Sequence, residues 1–233
     1  MIHVDLVSSG VDSPDLKHIR DALHRLNRGP GVNRRVTVID GSKTDDLPAC
    51  LAPPTTCVID AHCGADGALA LEDSSVLTLR VSTATANRLD VAEAFAAALE
   101  RRRPGLAGQA ADIRYALQEA IGNAVIHGNL GLDGTLRGSL ESLRVFAAMM
   151  DERMADADRS RRPITIIAND HSDGITVSVE DCGDGFSPDT VKPTDNPAAG
   201  GMGLVIIRMY CRSIAFDLGG RRIAMTFSAS PPA

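Results

Sequence analysis

Aromatic residues are nearly missing from this chain: two Tyr, five Phe and no Trp among 233 residues. Surfaces on which nucleic-acid bases could stack are therefore scarce, and the core has to be built from Ala, Val, Leu, Ile and Met. An excess of positive charge is missing too, with 24 Lys and Arg against 30 Asp and Glu and a net charge of −6. Binding a phosphate backbone needs a basic patch that releases counterions, so no direct nucleic-acid partner is expected. The five cysteines, at 50, 57, 63, 182 and 211, are odd in number and form no Cys-x-x-Cys. That argues against a disulfide framework and for a reduced, cytoplasmic setting. Cys57, His62 and Cys63 lack the second ligand pair of a zinc site. No window approaches the roughly 20 apolar residues that span a bilayer, and Met1 leads into an apolar segment containing Asp5 rather than a basic leader. No membrane role is expected.

What is present is 44% hydrophobic content, enough to bury a core. The first third alternates the apolar run Ile2 to Val7, a helical pattern from Pro14 to Leu26, then Val36 to Ile39 and Cys57 to Ile59. Leu16, Ile19, Leu23 and Leu26 recur at helical spacing, with Ser13 as N-cap, Pro14 at the first helical position and Gly29 as the stop. The stretch from Gly41 to Thr56, with Pro48, Pro53 and Pro54, reads as a connection. Residues 1–74 thus read as a small α/β N-terminal domain, and 75–233 as a second unit opening on the period-two strand Val76 to Val81. A helix from Leu89 to Arg102 follows, with Arg101, Arg102 and Arg103 suited to capping its negative end. The next helix, Asp112 to His127, is expected to close with Gly128 at C′. Then come a helix from Ser139 to Asp158, a hairpin of Ile164–Ile167 with Ile175–Val179, a short helix from Leu204 to Cys211 and a last strand from Ile223 to Phe227.

Three segments carry chemistry. Helical spacing of four places Glu119, Asn123 and His127 on one face, a polar stripe that solvent exposure alone would also explain. Asp181 directly follows a strand, and Gly183 and Gly185 then let the chain turn with no Cβ between the backbone and a flat ring. An Asp there can accept a hydrogen bond from an exocyclic amine, although an Asp-Gly turn is also ordinary structure. Gly200, Gly201 and Gly203 precede an apolar helix whose free N–H groups and positive end suit an anion such as phosphate. Between the last two segments, Ser187 to Ala199 has the composition of a surface loop able to close over a ligand. Lys192 within it is either a phosphate contact or an ordinary solvated lysine.

Together these segments resemble the N, G1 and G2 boxes of the Bergerat-type (GHKL) ATPase superfamily, over about residues 76 to 228. The fold implied is α+β, a Bergerat-type two-layer α/β sandwich whose mixed sheet has helices on one face, here preceded by the small N-terminal domain. Within the superfamily, the run Ala116-Leu-Gln-Glu-Ala-Ile-Gly-Asn-Ala-Val-Ile-His-Gly-Asn129, the start at Val76-Leu-Thr-Leu and a helical insertion after Asn129 resemble the anti-sigma-factor serine kinases. The resemblance implies ATP and Mg²⁺ as cofactors. It implies Asn123 as the Mg²⁺ ligand, Glu119 as the catalytic base and Asp181 as the holder of the adenine amine. It further implies Gly183 and Gly185 against the base, Gly201 and Gly203 at the phosphates, and a structural His127.

The activity it implies is transfer of the γ-phosphate to a serine of an anti-anti-sigma-type antagonist, with a sigma factor as a second protein partner and a homodimer as a compatible assembly. Two features depart from the family pattern. A Thr often follows the glycine that opens the last strand, whereas Gly219-Gly220 is followed here by Arg221 and Arg222. The loop between the glycine segments also lacks a cluster of Arg or Lys. Two other readings stand beside the kinase. One is a nucleotide-gated or non-catalytic partner-binding module. The other is a histidine kinase catalytic domain, for which His18 and His24 sit on a helix too short for the usual hairpin. The N-terminal domain faintly resembles half of a response-regulator receiver, with Asp60 at a strand end. Ser8-Ser9 in place of the acidic pair argues against phosphorylation there.

Overall fold

The computed structural model describes residues 3–9, 19, 33–63, 75–132, 140–186 and 202–228. The helix expected over 14–26, the loop 187–199 with Lys192, and Gly200 and Gly201 lie outside the described residues. Within them eight strands form one mixed sheet in the order β1-β2-β3-β4-β5-β6-β8-β7. Strands β1 (His3–Ser9), β2 (Asn33–Ile39), β3 (Cys57–Asp60) and β4 (Ser75–Ser82) are parallel neighbours. From β4 onward, β5 (Pro163–His171), β6 (Gly174–Glu180), β8 (Arg222–Ser228) and β7 (Ser213–Asp217) pair antiparallel. The class is α+β, as expected. The sheet runs across the 74/75 division, because Cys57, Val58 and Ile59 pair with Thr78, Leu79 and Arg80. The core does the same: Ile39, Leu47 and Val58 share one apolar cluster with Leu79 and Phe95.

The two halves of the sheet read differently in sequence because their faces differ. In the parallel half all four residues of β3 are buried, as are Val36 to Ile39, which is the pattern of a sheet covered on both sides. In the antiparallel half the register aligns Leu79, Ile166, Val179 and Ile223 in one cross-strand row, in the core cluster with the helices or packed against it. The next row, on the other face, is Arg80, Thr165, Glu180 and Arg222. There Arg80 Nη1 donates to Thr165 Oγ1 at 3.1 Å and Arg222 Nη2 to Glu180 Oε2 at 2.7 Å. A one-residue slip would exchange the rows, turning out side chains whose burial is worth about 1.5–3 kcal/mol each.

Two short helices were not expected. Helix α1 (Leu47–Cys50) forms where a bare connection was read, capped by Asp46, which accepts from Ala49 N at 3.0 Å, and buries Leu47. Helix α2 (Thr83–Arg88) has no apolar period but is started by Ser82, whose Oγ accepts from Thr85 N at 3.2 Å. Helix α3 (Val91–Arg102) buries Val91, Phe95, Ala98 and Leu99. Its Arg102 caps as expected, donating to Ala98 O at 2.9 Å and bridging to Leu51 O at 2.7 Å. After a 3₁₀ turn (Pro104–Gln109), α4 (Ala110–Asn123) follows. The helix expected over 139–158 is two, α5 (Leu140–Ala155) and α6 (Ala157–Ser160), because Asp156 leaves helical geometry and caps Asp158 N at 2.9 Å. Helix α7 (Gly203–Tyr210) and the half-exposed edge strand β7, which was not expected, complete the described chain. No described helix is long and apolar enough to cross a membrane.

Gly128 does not end its helix. Helix α4 passes into a π-helical turn, Ala124–Asn129, and the reversal comes at Gly131, with φ at 63°. Leu132 N then closes back on Ile126 O at 2.8 Å, six residues earlier and one residue wider than the bond that closes a Schellman motif. The negative helix end meets three guanidinium groups: Arg153 and Arg159 donate to Leu130 O and Arg162 to Asn129 O. Gly128 instead lets the turn approach Asp181 closely.

Candidate functional site

Along β6 the residues Val177 and Val179 face the helices, so Asp181, two further on, emerges on that face just where the strand ends. Its N–H donates to Arg221 O at 3.0 Å, and its Oδ1 accepts from Gly183 N at 2.8 Å. Opposite it stands Gly128. A Cβ there would sit 2.4 Å from the Asp181 carboxyl carbon, and one on Gly183 would sit 2.5 Å from Gly128 O. The π turn and the strand end thus approach to backbone contact, which only glycine allows. Gly185, at φ 75°, packs its backbone on Gly219 O, and Phe186 N donates to the same oxygen at 3.1 Å.

On α4, Ile113, Leu117, Ala120 and Ile121 bury one side while Glu119 and Asn123 stay half-exposed on another. The first turn of α7 meets that second side: a Cβ on Gly203 would lie 3.1 Å from both Glu119 Oε2 and Asn123 Nδ2. A helix N-terminus, a carboxylate and a carboxamide therefore converge on one spot. His127 Nδ1 lies 2.8 Å from Leu132 O. Since a carbonyl only accepts, that nitrogen carries the proton, and Nε2 is the bare one in the neutral ring.

Between these elements lies a cavity of about 290 Å³. Ala120, Ala124, Val179, Ile207, Phe216 and Ile223 give it apolar walls, and Asn123, His127, Asp181 and Arg221 are its polar edges. A flat apolar ring with one polar edge suits such a space. Burial pushes the Asp181 carboxyl up to about 6, against the opposing pulls of the Gly183 N–H and the Arg221 cation. Arg221, at the place where a Thr was noted as usual, donates Nε to Leu218 O at 3.1 Å.

Asn123, Asp181, Gly185 and Gly203 all line the cavity, and Gly183 braces Asp181 from behind. Glu119 is adjacent to Gly203 rather than on the lining. Gly201 lies outside the described residues. Sequence reasoning gave no role to Asn129, which is wholly buried against the Cys182 N–H, and missed Phe216 on the unexpected β7. Asn129 carried no local signal because its partners are 33 to 53 residues away. Asp60 is closed: Oδ1 accepts from Gly41 N and His62 N, and Oδ2 from Ser82 N, Ser82 Oγ and Thr85 Oγ1, all within 2.6 to 3.1 Å. Five donors exhaust a carboxylate, leaving no lone pair for chemistry.

The model of the histidine kinase-like ATPase domain matches residues 82–227, more than half of the chain. The chain belongs to the histidine kinase-like ATPase family. No curated protein matches it. The matched span begins at Ser82, the cap of α2, contains every element that lines the cavity, and supports an ATP-binding, kinase-like module. Domains of this family bind ATP, typically with Mg²⁺.

Proposed function

We propose that the chain binds ATP with Mg²⁺ in this cavity and transfers the γ-phosphoryl group to a serine of a partner protein. The observation that carries the proposal is the convergence of Glu119, Asn123 and the N-terminus of α7 around Gly203, on the same cavity that Asp181 lines. Asp181 accepts the exocyclic amine of adenine on the oxygen that Gly183 leaves free, which discriminates against guanine, whose oxygen at that position cannot donate. The N–H groups of α7 around Gly203, with Gly201 before it, receive the phosphates. Asn123 supplies a hard oxygen donor beside them, which fits Mg²⁺, and leaves the Glu119 carboxylate free to act as a base. When bound, the ion would neutralise charge on the phosphates.

Glu119 takes the proton of the serine hydroxyl as its oxygen attacks the γ-phosphorus. The bond from that phosphorus to the bridging oxygen breaks, and ADP leaves with the electron pair. The protein substrate is an antagonist of the anti-anti-sigma type, with a sigma factor as alternative partner, a homodimer as the assembly and the cytoplasm as the setting. The position of Glu119 beside the lining favours one second reading, a nucleotide-dependent partner-binding module without turnover. Labelled γ-phosphate from ATP should reach a serine of the captured partner, and Glu119→Ala should lower the rate by at least about 100-fold. Transfer unchanged in that variant would remove Glu119 as the base, and no transfer by the wild type would leave the binding module.

A further inference from the structure

Three consecutive N–H groups hold the turn that carries Asp181, and each has a different partner. Asp181 N donates to Arg221 O just before β8, Gly183 N to the Asp181 carboxylate itself, and Cys182 N to Asn129 Oδ1 at 2.7 Å. Only the last is held by a side chain from another part of the fold. Asn129 is wholly buried, and its amide has one possible orientation. Its Nδ2 faces Thr83 Oγ1 at 2.8 Å, Pro163 O at 3.1 Å and Arg162 O at 3.3 Å. Two of these are carbonyls, and the Thr83 hydroxyl spends its own proton on Arg162 O at 2.8 Å. All three must accept, so the amide oxygen has to face the Cys182 N–H.

We propose that Asn129 is a positioning residue for base recognition: by holding the Cys182 N–H it sets where the Asp181 carboxylate stands in the cavity, and hence the preference for adenine over guanine. The proposal rests on the reading of the cavity given above. It reaches further than the site, because Thr83 begins α2 directly after Ser82, which Asp60 grips. The turn that reads the base is thereby fastened to the seam between β3 and β4. A buried amide lost from such a place leaves the Cys182 N–H without an acceptor, and Asp181 loses one of its three anchors.

The test is a calorimetric titration of the full chain with Mg-ADP and with Mg-GDP. The wild type should prefer ADP, and in Asn129→Ala the ratio of the two affinities should fall about tenfold. A simple loss of folded protein would weaken both nucleotides equally and leave the ratio unmoved. In the wild type, amide exchange at Cys182 should be slow, which keeps the proposal open to refutation even where the variant fails to fold. A ratio unchanged in Asn129→Ala, or fast exchange at Cys182, overturns the positioning role alone. A wild type without adenine preference overturns the reading of the cavity and this proposal with it.

Discussion

Asp60 at the end of β3 and Asp181 after the end of β6 are both strand-end carboxylates on the same sheet, yet their surroundings differ in kind. Asp60 is wholly buried and accepts five hydrogen bonds, while Asp181 lines a cavity and, among the described residues, accepts one. A carboxylate with every lone pair occupied stabilises the fold and has nothing left to offer a ligand. One that is partly desolvated with spare acceptor capacity is destabilised until a donor arrives, which is the usual condition of a binding group. The two are physically linked through Ser82, Thr83, Asn129 and Cys182.

The largest way to break the comparison is at the closed carboxylate. Asp60→Ala strands five donors at the seam, and the loss should be about 3–5 kcal/mol, as for other buried charged networks that lose one partner. Thermal unfolding should show it as a fall of roughly 10 °C. A fall no larger than that of an ordinary surface substitution would mean that the seam is not held by Asp60.

A smaller effect sharpens the other side. With Asp181 at about 6 in the folded chain against an ordinary 3.8, the folded state holds the proton more tightly than the unfolded one between those values. Stability therefore falls as pH rises through that window, the reverse of a salt-bridged carboxylate. Base recognition runs the other way, since the ionised carboxylate is the stronger acceptor for the adenine amine. Affinity for Mg-ADP should be about tenfold weaker at pH 5 than at pH 7, and this dependence should vanish in Asp181→Asn. Titrations across that range check both signs.

Much of the site was legible in sequence because its residues sit at fixed offsets from element ends. Asp181 follows an apolar strand, Gly203 opens an apolar helix, and Asn123 and Glu119 share a helical face. What was not legible depends on tertiary contacts. Gly128 resembles a helix stop, but the helix continues because its π turn is closed by Leu130 N on Val125 O and by the buried partners of Asn129. Helix α2 has no apolar period, and its cap, Ser82, is oriented by Asp60 from 22 residues away. Strand β7 alternates exposed and half-buried positions, but over only five residues, too few for the period to stand out. The N-terminal strands were readable as strands, yet their joining to β4 in one sheet had no local sign.

The central claim, that the cavity beside Asp181 is where adenine binds, is tested most directly by calorimetric titration of the full chain with Mg-ADP, comparing wild type with Asp181→Ala. The loss of a hydrogen bond to a charged acceptor should weaken binding by about 10- to 100-fold, with the thermal midpoint within a few degrees of the wild type. Equal affinities in the two proteins would contradict it.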